Sequence, residues 1–139
     1  MDLKLIPNIP LFAGIKRRRR RELAALADEV KVPTGTTLTR EGAHADEFFV
    51  IVEGEADVEA RRPSPIRASY TSTKLGTLGP GDFFGEVGLI AGPRRSATVV
   101  AATPMHLLAF HPRDFRTLMH SFPAVAERVQ STFVERSST

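Results

Sequence analysis

In the stretch Phe83-Phe84-Gly85-Glu86-Val87-Gly88-Leu89-Ile90-Ala91-Gly92-Pro93-Arg94-Arg95-Ser96-Ala97-Thr98, glycines, one carboxylate and an arginine fall close together. Those types suit a phosphorylated sugar. Gly85 and Gly88 carry no side chain to keep an anion away from nearby backbone N–H groups. Glu86 offers an acceptor pair for hydroxyl groups, and Arg95 a planar fork of donors for two phosphate oxygens at once. Ser96 adds a hydroxyl and one more N–H. A Gly-x-x-Gly spacing with one arginine is, taken alone, an ordinary surface turn. The joint pattern is what carries information.

Something must hold those groups in register, and the surrounding chain reads as a strand-rich scaffold. Leu23, Leu26, Ala27 and Val30 recur at helical spacing, so residues 8–30 are expected to be a helical N-terminal segment. From 31 to 111 short strands alternate with glycine turns. Glu47 to Glu53 is an apolar strand closed by Gly54, Ala56 to Arg61 alternates, and Lys74 to Leu78, Thr98 to Ala102 and Met105 to Phe110 follow. Arg61 to Thr73, polar and holding two prolines, is expected to be a mobile loop. Pro112 and Pro123 each open a helix, with stripes at Phe115, Leu118, Met119, Phe122 and at Val125, Val129, Phe133. Such strands between helices argue a sandwich or jelly-roll barrel in one domain, 1–139, with its C-terminal helices over 112–136.

Composition narrows the class. The 139 residues are 42% apolar and 25% charged, ordinary globular values. No apolar run nears the roughly 20 residues of a membrane span, and no secretory signal is visible. With no cysteine there is no disulfide or thiolate chemistry, and the cytoplasm is the expected compartment. Net charge is +3, and Lys16 to Arg21 supplies six consecutive cations. That run is either a patch for polyanions or the solvated face of the first helix.

The cassette 83–98 resembles the phosphate-binding cassette of the cyclic nucleotide-binding domain, in the pattern F-G-E-x-[AG]-L followed by P-R-x-[SA]-A-[TS]. Gly85 to Leu89 fit its opening and Arg95-Ser96-Ala97-Thr98 its close, and the resemblance extends from about Ile9 to Arg136. Of the adjacent arginines, Arg95 matches the phosphate ligand because Ser-Ala-Thr follows it directly; Arg94 stands where the family varies. The resemblance implies a mainly β fold: an eight-stranded β-roll, an N-terminal helix, a cassette turn and two C-terminal helices. It implies phosphate contacts from Gly85, Gly88, Arg95 and Ser96, and a ribose contact from Glu86. Val58, Leu75, Val87 and Ala97 match the positions that face the base. The last helix would act as a lid, with Gln130 or Phe133 nominated over the base. Cyclic AMP is favoured over cyclic GMP, because Ser96 is not the threonine associated with the latter in some relatives.

The implied role is a non-catalytic, stand-alone sensor with no cofactor and an unknown effector protein. Alternatives are a regulatory fragment of a cyclic-nucleotide-gated channel or transporter, and a barrel that no longer binds ligand and mediates contacts. A metal-dependent cupin enzyme would need a His-x-His pair, which His44, His106, His111 and His120 do not form. No helix-turn-helix pattern follows the barrel, so sequence-specific DNA binding is not expected.

Overall fold

Strands apolar on both faces dictate the layering. In the computed structural model, which describes residues 1–43, 47–64, 66, 70–90 and 97–137, the strands are β1 (Asp28–Val32), β2 (Thr37–Thr39), β3 (Phe48–Glu53), β4 (Ala56–Pro63), β5 (Tyr70–Leu78), β6 (Phe83–Phe84), β7 (Thr98–Ala101) and β8 (Met105–Phe110). They form two four-stranded antiparallel sheets, ordered β1-β8-β3-β6 and β2-β7-β4-β5. Side chains of a strand alternate between faces. Phe49 and Ile51 of β3, with Leu107 and Ala109 of β8, therefore point between the sheets, where they meet Ala56, Phe84, Val99 and Ala101. Phe48 and Val50, with Leu108 and Phe110, point outward under the helices. A central strand covered on both sides reads as one continuous apolar run.

The outer layer is helical. It comprises α1 (Arg20–Ala24), the cassette helix α2 (Glu86–Ile90), α3 (Pro112–Ser121) and α4 (Pro123–Ser137), with 3-10 turns at Leu3–Asn8, Pro10–Phe12 and Arg17–Arg19. Pro112 occupies the first turn of α3 behind an extended His111, where a missing N–H costs nothing. Phe115, Leu118, Phe122, Val125 and Val129 bury against Phe48, Phe110, Phe12 and Ile9. The Phe48 ring lies 4.9 Å from Phe115, 5.5 Å from Phe83 and 5.7 Å from Phe110, centroid to centroid.

Two expectations are corrected. The N-terminal segment 8–30 is not one helix: 3-10 turns lead to a five-residue α1, and Asp28–Val32 is strand β1. Val30 fits a helical stripe by spacing, but pairing with Leu107 on β8 decides its conformation. The segment 61–73 is not a loop throughout, because β4 runs to Pro63 and β5 starts at Tyr70, in register as a long hairpin down to the pair Pro63↔Tyr70. Thr71, Ser72 and Thr73 add hydroxylated, largely β-branched residues to that ribbon, and Pro63 stands at the end of β4. Of the connecting residues between the two strands, only Ser64 and Ile66 are among those described.

Candidate functional site

The chain leaves β6, turns at Gly85 and enters α2. Gly85 has φ +99°, a left-handed backbone that a side chain would strain. That turn drops Glu86 beneath the surface: its side chain is fully buried, and apart from Thr39 it is the one polar residue so buried among those described. A buried carboxylate demands partners. One oxygen, Oε1, accepts a hydrogen bond from Nη1 of Arg136 near the end of α4. The other, Oε2, has no hydrogen-bond partner among the described residues. Arg136 also donates from Nη2 to the carbonyl oxygen of Phe83 at 2.8 Å, and its guanidinium sits 5.4 Å from the Phe83 ring centroid. One arginine thus clamps both ends of the turn that carries Glu86.

Of the phosphate group of residues, Gly85 and Gly88 bracket the first turn of α2, while Arg95 and Ser96 lie outside the described residues. The positions expected to face a base are spread over two strands and the cassette. Val58 of β4 pairs with Gly76 of β5 and Val99 of β7. Leu75 is the extra residue of a β-bulge, since the register steps from Val58↔Gly76 to Glu59↔Lys74. It stands 50% exposed, an apolar side chain the sheet does not use. Val87 and Ala97 are half-buried, and the Ala97 carbonyl accepts from the Thr39 hydroxyl at 3.1 Å, fixing the strand that leaves the cassette. Glu41 N–H donates to the Thr98 hydroxyl at 2.9 Å, a second tie at the same point.

The lid nominations fare differently. Gln130 is exposed and Phe133 half-buried on α4, and Arg136 of the same helix hydrogen-bonds the cassette. The sequence did hold a signal: Arg136 continues the 125, 129, 133 stripe by one further turn, so a cation ends an otherwise apolar helix face. Arg128 is a second residue that reasoning from sequence missed. Its Nη1 donates to the carbonyl oxygens of Leu11 and Ala13, both at 2.8 Å, and so ties α4 to the N-terminal turns. Of the histidines, His44 lies outside the described residues. His106 Nε2 is 2.6 Å from Glu29 Oε1, His111 Nε2 is 3.1 Å from Asp28 Oδ2, and His120 is exposed on α3. Among the described residues no three His, Asp or Glu side chains gather as a metal site would require.

A β-roll whose cassette helix presents one buried carboxylate beneath a C-terminal helix defines a class of ligand-binding regulatory fold. The profile of the cyclic nucleotide-binding domain matches residues 29–122, and the chain belongs to that family. It is 38% identical over 133 residues to a cyclic nucleotide-gated potassium channel of Mesorhizobium japonicum, covering 96% of this chain and 34% of that protein. It is 29% identical over 125 residues to a cAMP-dependent protein kinase regulatory subunit of Aspergillus fumigatus, covering 90% of this chain and 28% of the other. The chain thus spans about a third of the length of these curated relatives. In fold it is similar to the regulatory subunit of a cAMP-independent protein kinase A from Trypanosoma brucei, a mutant bound to cAMP, with a TM-score of 0.80 at 20% identity, covering 98% of this chain and 49% of that one. Among the described residues no helix is long and apolar enough to cross a membrane.

Proposed function

We propose that this chain is a non-catalytic sensor of a cyclic nucleoside monophosphate, cyclic AMP in preference to cyclic GMP, whose output is the position of α4. The observation that carries the reading is Glu86: fully buried, one oxygen held by Arg136 of α4 and the other without a partner among the described residues. A ribose 2′-hydroxyl donating to Oε2 would satisfy that oxygen and would meet a carboxylate already oriented by Arg136. The phosphate would rest on Arg95, Ser96 and the N–H groups at Gly85 and Gly88, and the base on Val58, Leu75, Val87 and Ala97. Because Glu86 would then touch ligand and α4 together, binding would favour the docked arrangement of α4, a population shift. Arg136 replaces Gln130 and Phe133 as the α4 residue proposed to close the site.

Calorimetric titration of nucleotide-free protein with both cyclic nucleotides tests this directly. Micromolar or tighter binding that Arg95→Ala loses is the expected outcome; absence of heat with either ligand, in folded protein, overturns it. A second reading draws on the 38% identity to a channel of which this chain matches only 34%. The same ligand and the same α4 movement would then serve as the regulatory part of a larger channel or transporter.

A further inference from the structure

Beyond the nucleotide site, the geometry points to a second binding surface: the ridge Lys16, Arg17, Arg18 and Arg21, which docks the chain onto a bilayer containing acidic phospholipid. All four side chains are exposed, and none of them makes an ion pair among the described residues. The ridge is held rigidly from behind by Arg19. Its Nη1 donates to the Ser121 carbonyl at the end of α3 at 2.9 Å, its Nε and Nη2 fork onto Glu22 at 3.0 Å, and its guanidinium lies 4.1 Å from the Phe122 ring centroid. The hydrogen bonds from Arg19 keep the Glu22 carboxyl below its ordinary pKa, so that acid stays ionised and occupied by Arg19.

Charge is distributed to match. The molecule carries +3 in all, and the run Lys16 to Arg21 holds six cations, so everything outside it sums to about −3. A ridge of that charge is attracted to an anionic plane, and reversing its sign should undo that attraction. Flanking surface also suits a bilayer. Ala13 and Gly14, exposed and small, let a flat surface approach the backbone. Beside Arg21 a shallow depression of about 410 Å³ is floored by Met1, Leu3, Ala24, Ala25 and Ala27. The acid at its rim, Glu29, is already engaged by His106 at 2.6 Å.

A lipid surface fits better than nucleic acid. Phe12 and Phe122, which flank the run in sequence and beneath Arg19, are buried, so neither offers bases a stacking platform beside it. The run itself is a 3-10 turn followed by a five-residue helix, too short to lie along a groove. Diffuse attraction to phosphate headgroups needs neither.

The test is co-sedimentation of the full chain with vesicles of phosphatidylcholine alone and with vesicles containing about one third phosphatidylserine. Expected is pelleting with the acidic vesicles only, weakened severalfold or more on raising salt to about 0.5 M. Arg17→Glu/Arg18→Glu should reduce it at least about tenfold. Arg40→Glu/Arg113→Glu, of equal net charge and on other exposed positions, should leave it near the parent level. Thermal unfolding of each variant verifies that it is folded, and nucleotide titration reads the first site separately. No pelleting with acidic vesicles, or an equal loss in both double variants, overturns the proposal. So does displacement from vesicles by single-stranded RNA or duplex DNA at matched phosphate concentration.

Discussion

Glu86 is where most of the reading is concentrated, because a buried carboxylate discriminates sharply between a partner that donates and one that does not. A hydrogen bond to a charged group contributes roughly 1.5–3 kcal/mol. Removing the donor from the ligand should therefore weaken binding about ten- to a hundredfold, and 2′-deoxy cyclic AMP measured against cyclic AMP in one calorimetric series checks it. Glu86→Gln keeps the shape and loses the charge; we expect weaker binding by a smaller factor and less preference for the ribonucleotide. Arg95→Ala, which would leave the cyclic phosphate without its bidentate partner, should cost on the order of ten- to a few-hundredfold in affinity. Retained affinity in Arg95→Ala would point to Arg94 as the ligand, since the two arginines are adjacent.

Among the elements, α4 connects the most distant parts of the chain. It reaches the cassette through Arg136 and the N-terminal turns through Arg128. Arg136→Ala would leave a buried carboxylate without its cation. We expect a loss of about 1–3 kcal/mol of stability, together with at least tenfold weaker nucleotide binding, read by urea unfolding and titration on the same preparation. Normal affinity with lowered stability would reduce Arg136 to a structural clamp. The elements also show what could be read in advance. The apolar run of β3 and the proline-led α3 and α4 were legible because burial on both faces and a missing N–H leave direct marks in residue types. The opening of the cassette was legible too, as a glycine turn before a carboxylate. β1 was hidden, because Val30 satisfies helix and strand spacing equally and only pairing with β8 resolves it. Strand readings at 56–61 and 74–78 held, but the outer end of the β4–β5 hairpin was hidden by hydroxyl residues that serve loops and exposed strands alike. Arg136 was overlooked because a cation at the end of an apolar helix stripe marks an inward face without naming residue 86 as what it meets across space.

For the whole molecule, a ligand that binds only the folded state adds stability by mass action. At about a hundred times the dissociation constant the gain is about 2.7 kcal/mol, which for a domain of this size raises Tm by on the order of 5–10 °C. Differential scanning calorimetry with increasing cyclic AMP should show that rise, and a flat Tm would contradict the sensor reading. The two sheets have a further consequence. Strand β1 finds its hydrogen-bonding partner only in β8, and Ile6, Ile9, Leu11 and Phe12 bury against strands and helices as late as Val129. As the polypeptide emerges from the ribosome, the segment from Ile6 to Phe12 is therefore made well before β8 and α4, which bury it. At about 5–20 residues per second, those apolar side chains wait several seconds in the open, a window in which a chaperone can hold them.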